Sequence, residues 1–339
     1  MIRKTQLSDK KRENPESEQL RFRILFAYGS ENVWMLALPF FILQSMFQGF
    51  LVTAERPQLG LVFTVVSGLL NIFLDYLLIV VFDMGLRGAA WATFIASAVG
   101  SLMPFLFFVL PNKSLLHFVR PVFDGKALGQ SVTNGMSEFF ASISGSILSI
   151  CYNYQLMKYI GENGVAAYGV IMYVQFIFFG VFFGYAEGTA PIVSYNYGAQ
   201  NHSELKNVFQ RSLKLIAVMG LVLTLLLELT AAPLTKIFVG YDAELYALTC
   251  KAFRIYGLSY LLVGFNFYAS SFFTALNNGK VSAIISTVRT LVFETAAVFI
   301  LPALFGVDGI WFAIICAEVL SLVLSVAMLK KQKERYHYA

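Results

Sequence analysis

Long apolar runs that follow one another along the chain constrain its fold more than any other feature. About nine of these runs in the 339 residues approach the roughly 20 residues that an α-helix needs to cross a bilayer. They lie at residues 33–52, 59–82, 89–111, 136–157, 165–186, 212–233, 254–275, 281–304 and 309–329. Transmembrane β-strands are about half as long and alternate in polarity, which these runs do not. The sequence therefore predicts an all-α integral membrane protein with about nine transmembrane helices.

The composition argues against a soluble protein, an enzyme and a nucleic-acid-binding protein. Charged residues make up 13% of the chain, compared with about 25% in soluble domains. The three cysteines are isolated and the three histidines lie outside the apolar runs, so no nucleophile or metal site is predicted. The net charge of +5 follows from the basic connections between runs and calls for no nucleic acid. We expect the lipid bilayer as the surrounding partner, no enzyme activity and no cofactor.

Lys and Arg in the connections predict the orientation, because they accumulate on the cytoplasmic side. One set of alternate connections is basic and contains Lys113, Arg120, Lys126, Lys206, Arg211, Lys280, Lys330, Lys331, Lys333 and Arg335. The opposite set is more acidic and contains Asp83, Arg87, Glu162, Asp242, Glu244 and Asp308. We therefore expect a multi-pass protein of the cell (plasma) membrane whose C-terminus is cytoplasmic.

An internal repeat relates two parts of the chain. The joint at residues 85–90 (Gly-Leu-Arg-Gly-Ala-Ala) recurs at residues 306–311 (Gly-Val-Asp-Gly-Ile-Trp), 221 residues later. The same offset pairs residues of the flanking runs without a gap, namely Ala54 with Ala275, Leu70 with Leu291, Ile79 with Ile300, Ala92 with Ala313 and Ala96 with Ala317. Parallel repeats are common in transporters. The pattern therefore favours a transporter built from two related halves.

The repeat and the polar stretches predict five segments. They are a basic polar N-terminal segment at 1–23, a partial N-lobe of three helices at 24–111, a cytoplasmic linker at 112–133, a C-lobe of six helices at 134–329 and a basic cytoplasmic tail at 330–339. If both lobes had six helices, the offset would place the first three before residue 1. We therefore expect an N-terminally incomplete chain, and a natural nine-helix protein is the alternative.

Motifs in three places resemble those of one transporter family. Residues 71–75 read Asn-Ile-Phe-Leu-Asp and precede the joint and Trp91-Ala92-Thr93, residues 191–199 read Pro-Ile-Val-Ser-Tyr-Asn-Tyr-Gly-Ala, and residues 275–280 read Ala-Leu-Asn-Asn-Gly-Lys. In order and spacing they resemble signatures of multidrug and toxic compound extrusion (MATE) transporters. The resemblance implies a two-lobe bundle, here lacking the first three helices of the N-lobe, and multidrug efflux of organic cations in exchange for Na⁺ or H⁺. A chain with half a lobe is expected to be an inactive fragment.

Asn71, Asp75 and Thr93 form a candidate cation or proton site. Asp75 lies eight residues before Asp83 at the outer helix end, about 12 Å at 1.5 Å per residue. Asn71 is one turn away on the same face, and Thr93 lies at a similar depth on the next, antiparallel helix. Their oxygen atoms suit Na⁺, which is expected at Asn71 and Asp75 if a metal ion binds at all, or a protonatable acid. The resemblance implies the same first-lobe cation site. A polar cluster that only locks helix packing is the alternative.

Glu294 and Glu318 form a candidate proton or substrate site in the C-lobe. Both lie about 15 to 18 Å from the joint near Gly306, on consecutive antiparallel helices. If they face each other, the two carboxyl groups can share one proton. The alternative is that each faces its own polar partner.

The resemblance implies that Tyr152, Tyr256 and Tyr260 join this candidate site, because they share helices with substrate-facing positions. Aromatic faces also attract the amphipathic organic cations that we expect as substrates. Helix packing or an interfacial aromatic belt is the alternative for each of them.

Glu138, Glu187 and Arg289 lie near the expected cytoplasmic ends of their helices and form a candidate cytoplasmic gate. At that depth the Arg289 side chain can also extend along the helix to the membrane surface, which we expect to be its main role.

Two other classes of protein share some of these features. A flippase for lipid-linked saccharides has a related architecture, but its pyrophosphate substrate calls for Arg and Lys in the helices, and these helices hold few. An intramembrane enzyme needs a nucleophile and a base, or a metal, and neither is readable. We therefore predict a secondary active antiporter that exports organic cations in exchange for Na⁺ or H⁺, with the flippase as the alternative and the oligomeric state undetermined.

Overall fold

The computed structural model describes residues 15–112, 114, 116–120 and 122–338, and side chains from residue 32 onward. Most of the basic segment predicted at 1–23 and the side chain of Lys113 lie outside the described residues. The described part contains helices and no strands: α1 (Pro15–Thr53), α2 (Pro57–Asp75), α3 (Gly85–Val109), α4 (Gly125–Tyr159), α5 (Glu162–Gly198), α6 (His202–Val239), α7 (Ala243–Gly257), α8 (Tyr260–Ala275), α9 (Gly279–Thr287), α10 (Thr295–Phe305) and α11 (Val307–Tyr336). The all-α prediction is confirmed for these residues.

Seven spans among the described residues are long and apolar enough to cross a membrane. They are Asn32–Thr53, Pro57–Val81, Gly85–Val109, Glu162–Gly198, His202–Val239, Gly279–Phe305 and Val307–Tyr336. The two other predicted runs differ for identifiable reasons. Run 136–157 falls in α4, which is 35 residues long but rich in Ser and Asn. Run 254–275 is interrupted between α7 and α8 at residues 258–259.

Two compact units divide the chain, Met1–Pro121 and Val122–Ala339. In the first unit, α3 packs against both α1 and α2. Ala90 and Ala92 of α3 have no exposed surface, since small side chains let helices approach closely in a membrane protein. The Ser67 hydroxyl of α2 donates to the Ala96 carbonyl of α3 at 2.8 Å, which ties these two helices together.

The repeated joint of the sequence is also a repeated backbone shape. Gly85 and Gly306 both have left-handed backbones, with φ of 51° and 61°. A Cβ atom on Gly309 would lie 2.3 Å from the Leu301 carbonyl oxygen, and one on Gly88 would lie 3.0 Å from the Leu78 backbone. Glycine is therefore required at these joints both for conformation and for close helix contact.

A π-helical segment lies in the helix that precedes each joint. These segments are Tyr76–Val81 in the first unit and Val288–Glu294 in the second. Asp75 immediately precedes the first segment, and Glu294 is the last residue of the second. Single π-helical turns occur frequently at functional sites. Each unit therefore places a carboxylate next to such a turn.

The second unit, α4 to α11, differs from the predicted segments at both ends. The linker predicted at 112–133 is helical from Gly125 onward, because the Asp124 carboxylate caps α4 by accepting from the backbone N–H groups of Lys126 and Ala127. The tail predicted from residue 330 is helical up to Tyr336. Its last aromatic side chains are buried instead of projecting into solvent.

Candidate functional site

A cavity of about 320 Å³ lies inside the second unit, between helices α4, α5, α7, α8, α9 and α11 and the π-helical segment. Its charged lining residues are Glu138, Glu187, Glu294 and Arg289. Its aromatic lining residues are Tyr168, Phe179, Tyr256 and Phe267. The cavity thus combines an excess of carboxylates with aromatic faces.

Arg289 and Glu318 form a buried ion pair. The Arg289 Nε and Nη2 atoms lie 2.7 Å and 2.6 Å from Glu318 Oε1. The Asn266 amide donates to the other carboxylate oxygen, Oε2, at 2.7 Å, and the Ser325 hydroxyl donates to the Asn266 side-chain oxygen at 2.9 Å. The Glu318 side chain has no exposed surface. This arrangement satisfies both Glu318 oxygens with fixed donors.

This ion pair corrects the expectation that Arg289 extends to the membrane surface. Its side chain is only 16% exposed and points to Glu318 inside the unit. The reason is electrostatic: a carboxylate that is fully buried needs a counter-charge. The three residues of the predicted gate are therefore not equivalent. Arg289 lies deep in the cavity, whereas Glu138 and Glu187 are exposed along its wall.

Glu294 has a different environment from Glu318. It is 5% exposed and forms no ion pair within the described residues. Its side chain accepts one hydrogen bond, from the Tyr152 hydroxyl at 3.2 Å. No hydrogen bond joins the two carboxyl groups in the part of the chain that is described. The geometry therefore matches the alternative in which each glutamate has its own partner.

The three predicted site tyrosines have different locations. The Tyr152 ring stacks on that of Tyr168 at 4.9 Å, and its hydroxyl donates to Glu294. Tyr256 lines the cavity and donates to Gln175 at 2.7 Å. Tyr260 does not line the cavity, so its assignment to the site is corrected. Its ring instead packs on those of Phe178 and Phe182, since the break before α8 changes the direction in which this residue points.

The residues of the candidate site in the first unit do not contact one another through hydrogen bonds in the described part of the chain. Asn71, Asp75 and Thr93 are half-buried. The Thr93 hydroxyl donates to the Ala89 carbonyl of its own helix at 3.0 Å. The Asn71 amide nitrogen is buried without a partner. The cation site at these residues stays a prediction.

Sequence reasoning missed four polar residues of the second unit. Tyr168, Gln175 and Asn266 line the cavity, and Gln155 donates to the Val298 carbonyl at 3.0 Å. Three of them carry an amide inside an otherwise apolar run, which is costly in a bilayer unless it is hydrogen-bonded. That signal was available in the sequence and would have found them.

Comparisons with known proteins all point to one family. A family model described as MatE matches residues 139–300. The chain is 26% identical over 308 residues to the multidrug export protein MepA of Staphylococcus saprophyticus and 25% identical over 309 residues to MepA of Staphylococcus aureus. Each alignment covers 90% of this chain and 67% of the relative.

Solved MATE structures share the fold. A MATE crystal structure in complex with MaL6 superposes with a TM-score of 0.86 at 19% identity, covering 92% of this chain and 70% of that one. The outward-facing structure of a multidrug resistance MATE transporter gives a TM-score of 0.81 at 20% identity, covering 87% and 67%. The matched family model, the curated relatives and the shared fold agree, and the chain is similar to MATE transporters in sequence and in fold.

Proposed function

We propose that this protein is a multidrug efflux transporter of the plasma membrane that exports small amphipathic organic cations in exchange for H⁺ or Na⁺. The observation that carries the proposal is the acidic cavity of the second unit. Drug efflux agrees with the names of the relatives, which are multidrug export proteins. The cationic substrates, the exchange and the ion are inferred from the residues.

The charges of the cavity support cationic substrates. Three carboxylates and one guanidinium line it, and Glu318 already neutralises that guanidinium, Arg289. The remaining carboxylates, Glu138, Glu187 and Glu294, have no basic partner among the lining residues. Such an excess of negative charge favours a cation, most strongly at Glu294, which is the buried carboxylate of the three.

The apolar lining supports amphipathic substrates. The rings of Tyr168, Tyr256 and Phe179 and the flexible side chain of Met172 line the cavity beside the carboxylates. An organic cation over an aromatic face gains about 0.5–2 kcal/mol. Met adapts to ligands of different shape. Together these groups suit flat or bulky cations better than inorganic ions alone.

The carboxylates also suggest how export is coupled to an ion. Glu294 has one hydrogen-bond donor and no ion pair within the described residues, so it can hold a proton, Na⁺ or a substrate cation in turn. In the first unit, Asp75 is half-buried and is proposed as a second coupling site with Asn71 and Thr93. Exchange requires that binding of one cation excludes the other.

A lipid-linked saccharide flippase is less well supported. Recognition of a pyrophosphate calls for unpaired Arg or Lys side chains. Arg289 is the only basic residue among those lining the cavity, and it is paired with Glu318 at 2.6 Å.

The test is efflux of ethidium, a fluorescent organic cation, from vesicles that contain the purified protein, under an imposed H⁺ or Na⁺ gradient. Under this proposal we expect saturable, gradient-driven efflux that is lost in Asp75→Asn and in Glu294→Gln. That result would overturn the expectation from the sequence that the chain is an inactive fragment. Glu244→Gln is the matched control, because Glu244 lies exposed in the first turn of α7. Efflux that ignores both gradients would contradict exchange. Gradient-independent movement of a lipid-linked saccharide in the same vesicles would favour the flippase.

A further inference from the structure

A proline inside α10 removes one hydrogen bond of that helix. Pro302 lies within α10 and is buried. Because proline has no backbone N–H group, the carbonyl oxygen four residues earlier, that of Val298, loses its helical donor. Val298 has no exposed surface, and α10 belongs to a span long and apolar enough to cross a membrane. A carbonyl oxygen in such surroundings needs a donor from the protein itself.

Gln155 of α4 supplies this donor. Its side-chain nitrogen Nε2 donates to the Val298 carbonyl oxygen at 3.0 Å, and the residue is 3% exposed. Since a carbonyl oxygen only accepts, this bond fixes the orientation of the amide, with the nitrogen toward α10. The amide oxygen Oε1 is buried without a donor within the described residues. An apolar side chain at this position would therefore exchange one unsatisfied buried acceptor for another, so stability alone does not explain a glutamine here.

A second hydrogen bond joins the same two helices one turn away. The Tyr152 hydroxyl of α4 donates to Glu294 Oε1 at 3.2 Å. Tyr152 precedes Gln155 by three residues and Glu294 precedes Val298 by four, so each pair lies on one face of its helix. For a hydroxyl donor, this distance is longer than the usual range of about 2.5–3.0 Å. A small shift of α10 along α4 is therefore enough to break the bond between Tyr152 and Glu294.

We propose that Gln155 is the residue that positions Glu294. Its bond to the carbonyl that Pro302 leaves free holds α10 at a fixed height on α4, and this height keeps Glu294 within reach of Tyr152. The apolar contacts between the two helices are non-directional, so they do not fix the height. Gln155 is not among the residues that line the cavity, so it acts on a bound cation only through Glu294. This role rests on the proposed function, in which Glu294 holds the exchangeable cation.

The reactivity of the Glu294 carboxyl group tests the positioning without requiring transport. Dicyclohexylcarbodiimide, an apolar reagent that modifies carboxyl groups inside membrane proteins, is added to the detergent-purified chain. Mass spectrometry then measures modification of the peptide that contains Glu294. We expect Gln155→Met, which keeps the length of the side chain but has no donor, to raise the modification rate roughly three- to tenfold, because Glu294 then loses one hydrogen bond and its oxygen is free to react.

A matched variant controls for the substitution itself. Gln210→Met, at an exposed position of α6, should leave the modification rate of Glu294 unchanged. Gln155→Leu is a second variant without a donor, and it is expected to raise the rate even if Gln155→Met gives too little folded protein. Equal rates in the Gln155 variants and the parent would overturn the proposal.

Glu318 and thermal unfolding separate positioning from general damage. Glu318 is held by Arg289 at 2.6 Å, so its modification should stay slow in the same samples. The thermal unfolding midpoint of Gln155→Met should lie close to that of the parent, since one unsatisfied acceptor replaces another. Equal increases in modification at Glu294 and Glu318 would show a general loosening of the unit and would overturn the proposal.

Two double variants test the route from Gln155 to Glu294. Tyr152→Phe removes the donor to Glu294 directly, so the further change Gln155→Met should raise the modification rate no more. Pro302→Ala restores a backbone N–H group for the Val298 carbonyl oxygen, so Gln155→Met should have a much smaller effect in that background than in the parent. Effects that simply add in either double variant would overturn the proposed route.

Ethidium binding connects the position of Glu294 with the proposed function. Fluorescence anisotropy should show binding weakened roughly three- to tenfold in Gln155→Met, whereas Gln210→Met should bind as the parent does. Unchanged affinity together with faster modification of Glu294 would overturn the role of Gln155 in cation binding. If the parent protein itself binds no ethidium, the proposed function fails, and the rates of carboxyl modification then decide the positioning by themselves.

Discussion

Arg289 and Glu318 form an ion pair with an N–O distance of 2.6 Å at a place where the Glu318 side chain has no exposed surface. Within the part of the chain that the structure describes, the second glutamate of this region, Glu294, accepts a single hydrogen bond, from Tyr152 at 3.2 Å. Two carboxylates thus accompany one guanidinium. Glu318 is held as a fixed counter-charge, and Glu294 is the group that can exchange its partner.

Removal of the Glu318 charge should destabilise the protein. Glu318→Gln leaves the buried Arg289 guanidinium without a counter-charge, which costs about 3–5 kcal/mol. We expect a clearly lower thermal unfolding midpoint of the detergent-purified protein. The double variant Arg289→Met with Glu318→Leu removes both charges and should recover most of the loss, since it leaves no unpaired ion. A double variant less stable than Glu318→Gln would show that the ion pair is not the stabilising feature.

Loss of the Tyr152 hydroxyl should impair efflux and leave the fold intact. Tyr152→Phe keeps the ring stacked on Tyr168 but removes the hydrogen-bond donor to Glu294. A buried acceptor that loses its donor pays a desolvation free energy of about 1–3 kcal/mol. We expect a reduced rate of ethidium efflux at a normal level of folded protein. Tyr241→Phe, at an exposed position, is the control. Equal efflux in the two variants would remove Tyr152 from the site.

The joint glycines should tolerate no larger side chain. Gly309→Ala would place its Cβ 2.3 Å from the Leu301 carbonyl oxygen, so the two helices must move apart. We expect a drop in the yield of folded protein on size-exclusion chromatography. Gly180→Ala, where a Cβ meets nothing within 4 Å, should be neutral or stabilising by about 0.5–1 kcal/mol. An equal loss of folded protein in Gly309→Ala and Gly180→Ala would contradict the explanation by close helix contact.

The orientation proposed for the chain can be checked separately. A fluorescent protein fused after Ala339 should fold and fluoresce, and alkaline phosphatase fused there should be inactive, because the basic connections and the final basic residues are expected to lie in the cytoplasm. Active phosphatase at this position would reverse the orientation.

Hydropathy and the glycine joints predicted most of the fold. The apolar runs located the spans, and the 221-residue offset located Gly85 and Gly306, which share a left-handed backbone. Hydropathy and a sequence repeat are both properties of the sequence itself, so they could be recognised without knowledge of how the helices pack. The predicted carboxylates Glu138, Glu187 and Glu294 do line one cavity.

The partners of those carboxylates could not be read, because they depend on helix geometry. Arg289 and Glu294 are five residues apart, about 140° around an α-helix with 3.6 residues per turn. Both lie in the π-helical segment Val288–Glu294, whose i→i+5 repeat brings such residues toward one face. The sequence-based expectation for Arg289 rested on its depth alone, and it did not include the π-helical segment that turns this side chain into the unit. Tyr260 was expected in the site because of the helix on which it lies, and the resemblance did not indicate the break at residues 258–259 that precedes it.

Binding of ethidium to the purified protein tests the central claim most directly, because it asks whether Glu294 holds the substrate cation. Fluorescence anisotropy should show that Glu294→Gln weakens binding by at least about tenfold, since loss of one member of a buried charge pair is costly. Glu244→Gln should leave the affinity unchanged. Equal affinities of Glu294→Gln and the parent protein would contradict the assignment of Glu294 as the exchangeable charge.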